Sequence, residues 1–282
     1  MKGKICVITG ANAGIGRETA LGLARLGATV VMVCRDAVRG AAAQEEIRRL
    51  SGNDQVHLVL GDLSWQDSMR RAAQAICQRF ERIDVLVNNA GGIFSRRQES
   101  PDGIELTFAL NHLGYFLFTG LLLDKLKGSA PARVVNVSSI AHWLGWIHFP
   151  DMQFRRFYFA PLAYHQSKLA NVMFTFSLAQ RLAGSGVTVN CLHPGVINSN
   201  FFKKTSGFER LVKWALTPIY QTPEQGAGVV LYLASAPEVA AISGQYFVNQ
   251  NTAPTSPLAK NRQMAERLWQ ESEKLTGFHY AE

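Results

Sequence analysis

Cysteine is scarce in this chain: four residues in 282, with no C-x-x-C pair among them. Cys6, Cys34, Cys77 and Cys191 stand far apart, so neither a disulfide scaffold nor a structural zinc site is expected. They read as free, mostly buried thiols of a reducing compartment. No uninterrupted apolar run reaches the roughly 18 residues that span a bilayer; the longest, Tyr115 to Leu123, falls well short. The chain opens on its first strand, and no signal peptide is expected. Repeats, low-complexity tracts and Pro- or Gly-rich linkers are absent, so one domain is expected over 1–282. Charged residues are only 18% against 47% hydrophobic, which excludes a disordered chain. Long basic runs are missing too. The net charge is +8, but Arg17, Arg35, Arg48, Arg70, Arg96, Arg155 and Lys203 are scattered. That argues against nucleic acid and for a solvated basic surface, with weak contact to an acidic membrane surface left open. Placement in the cytoplasm is expected, peripheral to a membrane at most.

What is present is a regular alternation. Strand-like runs fall at Ile5–Ile8, Thr29–Val33, Val56–Leu60, Val85–Val87, Arg133–Val137, Val187–Cys191 and Gln245–Val248. Helical patterns fill the gaps at Gly14–Leu26, Asp36–Leu50, Trp65–Phe80, Asp102–Lys127, Ala163–Ala183, Thr222–Ala234 and Asn261–Leu275. Strands alternating with helices predict an α/β, doubly wound parallel sheet of about seven strands with helices on both faces. Ligands of such sheets bind beyond the carboxyl ends of the strands.

The first of those ends carries Thr9-Gly10-Ala11-Asn12-Ala13-Gly14-Ile15-Gly16, between an apolar strand and a helix. Glycines permit a sharp turn and a close backbone approach to a diphosphate. The exposed N–H groups and the positive end of the helix dipole favour an anion there. A plain tight turn is the alternative reading. The spacing is neither G-x-G-x-x-G nor that of an ATP phosphate loop.

Other strand ends are polar. The second ends Val33-Cys34-Arg35-Asp36, where an Arg suits a 2′-phosphate and favours NADP; a surface pair with Asp36 is the alternative. The third ends Gly61-Asp62-Leu63. Asp62 can accept from an adenine amino group, or cap the following helix. The fourth ends Asn88-Asn89-Ala90-Gly91, small residues suited to a ligand or to a turn. The fifth ends Ser138-Ser139. Tyr164-His165-Gln166-Ser167-Lys168 opens a helix, so Tyr164 and Lys168 share a face. An ammonium beside a phenol is expected to lower the phenol pKa and let it exchange a proton near neutral pH. Asn111 is an unusual amide between Leu110 and Leu113, and a core hydrogen bond is its plainer reading.

Taken in order, Thr9-Gly10-x-x-x-Gly14-Ile15-Gly16, Asp62-Leu63, Asn88-Asn89-Ala90-Gly91, Asn111, Ser138-Ser139, Tyr164-x-x-x-Lys168 and Pro194-Gly195 resemble the short-chain dehydrogenase/reductase family over essentially the whole chain. Within it the chain resembles the retinol dehydrogenase group, through Leu110-Asn111-His112-Leu113-Gly114, Ala141-His142, Ser167-Lys168-Leu169-Ala170-Asn171-Val172 and the long gap from Ser139 to Tyr164. Membrane-bound relatives carry an N-terminal hydrophobic anchor, a pattern this sequence departs from. The resemblance implies NADP(H) as cofactor. Tyr164 is then the general acid, Lys168 tunes it and binds the nicotinamide ribose, Ser139 orients the substrate oxygen, and Asn111 holds a relay water. Gly10, Asn12, Gly14, Ile15 and Gly16 hold the diphosphate region. Arg35, Asp62, Leu63, Asn89, Ala90 and Gly91 serve the adenosine half; Pro194, Gly195, Val196 and Ser199 serve the nicotinamide end. No metal is implied.

Two irregular stretches, near 141–162 and 198–222, follow strand ends that face this site. Phe154-Arg155-Arg156-Phe157-Tyr158-Phe159 and the apolar series Phe201, Phe202, Phe208, Leu211, Trp214 predict mobile covers over a hydrophobic substrate. Ordinary packing, a homo-oligomer contact or a membrane surface are alternative uses. The expected activity is interconversion of a hydrophobic, retinal-like aldehyde or ketone with its alcohol. A broad-specificity carbonyl reductase is the runner-up; a non-catalytic NADP-binding regulator is more distant.

Overall fold

The computed structural model describes residues 1–197 and 220–281. Its strands are β1 (Ile5–Thr9), β2 (Thr29–Cys34), β3 (Val56–Leu60), β4 (Val85–Asn88), β5 (Ala132–Val137), β6 (Val187–His193), β7 (Val196–Ile197), β8 (Tyr220–Gln221), β9 (Tyr246–Val248) and β10 (Asn251–Thr252). The helices are α1 (Gly14–Arg25), α2 (Ala37–Ser51), α3 (Gln66–Arg79), α4 (Leu106–Gly128), α5 (Ala160–Arg181), α6 (Pro223–Ser235) and α7 (Arg262–Thr276). The main sheet has eight strands in the order β10-β9-β6-β5-β4-β1-β2-β3. Every pairing is parallel except β9 with β10, a short antiparallel edge that raises the expected count by one.

The central strands β1, β2, β4 and β5 are largely buried on both faces, the pattern of a parallel sheet. Alternate residues divide between two cores. Val7, Val31, Val33 and Leu86 join Met69, Ile76, Phe116, Leu122 and Phe174 of α3, α4 and α5. Cys6, Ile8, Val30 and Met32 join Ala20, Leu23, Ile47, Val230 and Leu233 of α1, α2 and α6. The four cysteines are free, and Cys6, Cys34 and Cys191 are buried.

β1 lies between β2 and β4. The chain winds outward in opposite directions from there, so the loops after β1 and β4 border the crevice where such sheets take ligands.

Helix α4 departs from expectation in three ways. It begins at Leu106 rather than near Asp102, because the fully buried Glu105 carboxylate accepts from the N–H groups of Thr107 and Phe108 at 2.8 and 2.7 Å. It contains a π-helical segment, Ala109–Leu113, that carries Asn111. A π segment rotates the residues within it relative to a regular helix and recurs at functional sites. Finally, the helix has 23 residues and an 18-residue stretch of mean hydropathy 1.5, so by length and composition it is apolar enough to cross a membrane once its polar interruptions are averaged in. That apolarity is used inside the fold, where Tyr115, Phe116, Leu117, Phe118 and Leu122 are buried.

The first irregular stretch is better ordered than expected. It holds two 3-10 turns, Ile140–Leu144 and Phe149–Asp151. The buried Gln166 side chain pins it to α5, accepting from His148 N at 2.9 Å and donating to Met152 O at 2.8 Å. Phe154 is buried, and the Tyr158 hydroxyl donates to Phe94 O at 2.7 Å. These two anchor the segment; Trp143, Leu144, Trp146, Phe157, Phe159 and Leu162 are its exposed large hydrophobics. The second stretch is closed at its base by a short parallel pair, Val196 with Tyr220 and Ile197 with Gln221. Residues 198–219, with Ser199, Phe201, Phe202 and Trp214, lie outside the described residues.

Candidate active site

The site begins at the glycine turn. Gly10 has φ +67° and Gly14 φ +55°, conformations that favour glycine. A side chain on Gly10 would meet Ala90 Cα at 3.0 Å, and one on Gly16 would meet Gly10 O and, at 2.5 Å, Asn89 Nδ2. Thr9, which opens the motif but was given no role from the sequence, staples this turn to β4: its Oγ1 accepts from Asn89 N at 2.9 Å and Ala90 N at 3.0 Å. Asn89 answers by donating from Nδ2 to Thr9 O at 2.8 Å. Helix α1 starts at Gly14 with no side-chain cap and no acidic residue in its first turn. Its first N–H groups and the helix dipole therefore face the space above the turn, where a Gly14 side chain would meet nothing within 4 Å. That geometry fits an anionic group such as a dinucleotide diphosphate. A cleft of about 370 Å³ opens there, lined by Asn12, Ala13, Gly14, Arg17, Arg39 and Glu224 among others. Tyr164 does not line it, so this cleft is separate from the cluster around Tyr164.

At the neighbouring strand ends, Arg35 pairs with Asp62 rather than Asp36: Nη1 lies 3.8 Å from Oδ2, with the Arg35 side chain 70% exposed. An exposed pair of this length is weak and leaves the guanidinium able to turn toward a phosphate. Asp36 caps α2 instead, accepting from Arg39 N at 3.0 Å. Asp62 is not the cap of α3. Its Oδ1 accepts from Ser64 N at 2.9 Å and Ser64 Oγ at 2.7 Å, while the N-cap position is Trp65. Leu63 is buried, and its carbonyl lies so near Gly114 that a side chain there would come within 2.6 Å. The two Asn of β4's end separate: Asn88 is a core residue that donates to Thr119 Oγ1 and Asn136 Oδ1, both at 2.8 Å.

Tyr164, Lys168, Ser139 and Asn111 converge from α5, the end of β5 and the π segment of α4. The side chains of Tyr164 and Ser139 are hydrogen-bonded. Ser138 turns the other way and donates to Lys168 O at 2.9 Å, so the structure tells the two adjacent serines apart. The Lys168 ammonium donates to Val137 O at 3.1 Å and lies 5.6 Å from the centre of the Tyr164 ring. Tyr115, a further residue missed in the sequence, donates to the same carbonyl at 3.3 Å. Asn111 is fully buried. Its Oδ1 accepts from Gly92 N at 2.8 Å, and its Nδ2 donates to Gly92 O at 2.9 Å and Ser167 Oγ at 3.0 Å. This clamp holds the Ala90–Gly92 strand end against α5. A side chain on Gly91 would lie 3.2 Å from Asn111 Oδ1 and 3.8 Å from Lys168 Nζ, so both border one point in the site.

The electrostatics differ from expectation. Burial pushes the Tyr164 phenol up to about 12, opposed by its Ser139 hydrogen bond. Burial pulls Lys168 down to about 8. Desolvation sets both directions, since each group loses water that favoured its charged form. At neutral pH Tyr164 is a protonated acid and Lys168 still carries its proton. Beyond them, Pro194 and Gly195 leave the end of β6, with Gly195 at φ +89° in contact with the Gln221 side chain. Among the described residues no group of His, Cys, Asp or Glu could hold a metal ion.

Comparison with known proteins agrees with this geometry. Residues 4–209 match the family described as short chain dehydrogenase. Human "Retinol dehydrogenase 11" is 45% identical over 98% of this chain and 87% of its own length. A crystal structure of an uncharacterized protein from Mycobacterium paratuberculosis aligns with TM-score 0.81 and 35% identity over 100% of this chain and 96% of its own. The NADP active-site complex of Pseudomonas aeruginosa RhlG aligns with TM-score 0.72 and 30% identity over 88% of this chain and 94% of its own. Family members bind a nicotinamide cofactor and act on alcohols or carbonyls. By its turn, its Ser–Tyr–Lys cluster and these likenesses, the chain belongs to the short-chain dehydrogenase family, in its retinol dehydrogenase group.

Proposed function

We propose that the protein is an NADP(H)-dependent oxidoreductase interconverting a hydrophobic, retinal-like aldehyde or ketone and its alcohol. The observation that carries the chemistry is the meeting of a protonated Tyr164 with Ser139 above a buried Lys168. In the reductive direction Ser139 Oγ holds and orients the carbonyl oxygen, and Tyr164 gives that oxygen its phenolic proton. Lys168 keeps positive charge beside the phenol as it becomes phenolate, which stabilises the transferred state. The relay role of Asn111 rests on its position beside Lys168 at the Gly91 point. The cofactor, when bound, supplies or takes the hydride. Gly10, Asn12, Gly14, Ile15 and Gly16 would hold its diphosphate region; Asp62, Leu63 and Asn89 to Gly91 its adenosine; Pro194, Gly195, Val196 and Ser199 its nicotinamide end.

Arg35 supports NADP over NAD, as does the likeness to RhlG, a structure solved with NADP. Arg35→Ala is expected to weaken NADPH binding by roughly 1.5–3 kcal/mol, the scale of a charge-assisted contact, and to leave NADH nearly unchanged. Fluorescence titration with both cofactors checks this; equal losses would make Arg35 a structural residue.

Substrate class rests on apolar surface. Among the described residues, seven of the eleven exposed large hydrophobics fall between Ile140 and Leu162, the segment that leaves Ser139 and leads to Tyr164. Single exposed apolar residues need no explanation, but this concentration does. Each buried methylene of an aldehyde is expected to add up to about 0.8 kcal/mol. kcat/KM should then rise with chain length across an aldehyde series until the pocket is full. A flat series, or preference for short polar carbonyls, would leave the broad carbonyl reductase reading in its place.

A further inference from the structure

We propose that His142 is a positioning residue for Ser139, holding its backbone through one ring nitrogen while the other ring nitrogen is anchored to Ser256. The inference rests on the reading of Ser139 as the hydroxyl that orients the carbonyl oxygen.

His142 lies on the 3-10 turn Ile140–Leu144 and is fully buried. Its Nδ1 is 2.8 Å from Ser139 O. A carbonyl can only accept, so Nδ1 carries the proton. Nε2 is then the bare nitrogen, and it accepts from Ser256 N at 3.3 Å. Both contacts demand the same neutral tautomer, and burial favours the neutral ring. The ring also stands edge-on to Tyr246 of β9, with centroids 4.8 Å apart. One side chain thus ties the backbone of Ser139 to β9 and to a loop 114 residues further along the chain.

Ser139 needs such a tie. It sits in extended backbone, φ −164° and ψ 157°, where β5 gives way to the turn. Its carbonyl also accepts the backbone N–H of His142 at 3.2 Å, so that oxygen is held twice by one residue. Fixing the carbonyl fixes the peptide plane, which limits where the Ser139 Cα–Cβ bond aims its hydroxyl. A ring present only to fill space would serve better as phenylalanine, because burying imidazole costs solvation. Around it His193 Nδ1, Tyr246 Oη, Thr255 Oγ1 and Ser256 Oγ are buried without partners, whereas both His142 nitrogens are used.

The test is a set of variants assayed for kcat, for KM with NADPH and for folding by near-ultraviolet circular dichroism. His142→Phe keeps the ring and loses both polar contacts. It is expected to lower kcat about tenfold, the scale of one positioning hydrogen bond, with KM for NADPH unchanged. His142→Asn puts an amide nitrogen where Nδ1 stood and should recover most of kcat. In a Ser139→Ala background, His142→Phe should cost no further kcat. Should His142→Phe fail to fold, His142→Gln, which reaches only the Ser256 side, takes its place with the same expectation. Full kcat in His142→Phe, no rescue by His142→Asn, or an equal loss in the Ser139→Ala background would overturn the proposal. Full turnover in Ser139→Ala alone would instead remove the orienting role of Ser139, and the positioning role with it.

Discussion

Tyr164→Phe is expected to lower turnover by about 10² or more while leaving the fold and NADPH affinity in place. A hundredfold loss is about 2.7 kcal/mol of barrier. The structure offers one competing cause, loss of the hydrogen bond between Tyr164 and Ser139. A neutral hydrogen bond contributes only about 0.5–1.5 kcal/mol, too little to account for the loss. The ring itself is kept by Phe, so its packing over Lys168 survives. Single-turnover rates at saturating NADPH and carbonyl measure the step directly. Turnover within tenfold of the parent protein would take the acid role away from Tyr164.

Raising the pH is the second large expected effect, and it separates activity from stability. kcat/KM for NADPH reports groups of the free enzyme. It should fall above pH about 8, tenfold per unit, as Lys168 loses its proton. Tyr164 cannot supply that limb, because its phenol holds its proton to about 12. Stability moves the other way. Lys168 has a folded pKa depressed from 10.5 to about 8, so the unfolded chain binds more protons between those values and stability rises with pH there. The raised phenol works against the fold only later, as pH climbs from 10 to about 12. Activity should therefore vanish while circular dichroism still reports a folded protein. Lys168→Arg keeps its charge throughout, so whatever activity it retains should lack the limb. Coincident loss of activity and structure above pH 8 would refute the assignment.

Sequence alone determined most of the scaffold. Apolar runs such as Thr29–Cys34 are buried on both faces and divide between two cores, so their pattern reads directly as parallel sheet. The glycine turn was equally legible, because its cause is local: positive φ at Gly10 and Gly14, and no room for a side chain at Gly16. The Tyr164–Lys168 pair also follows from helical spacing, since residues four apart share a face. The anchoring of the stretch after β5 was not legible, because nothing nearby in sequence says what the Gln166 amide holds.

Tertiary structure decided what depends on distant partners and on water. Which of Ser138 and Ser139 faces the phenol was settled by the packing of α5 against β5. Arg35 turned to Asp62, 27 positions away, rather than to its neighbour Asp36, because Asp36 was taken by the first turn of α2. The π segment of α4 has no periodic signature. It arises where the helix must present Asn111 to Gly92 and Ser167 at once. The pKa shifts of Tyr164 and Lys168 run opposite to those expected from their proximity, because only the folded chain strips both groups of water. Local spacing encodes faces and turns; burial and cross-chain contact, which set charge and orientation in the site, exist only after the sheet has closed around it.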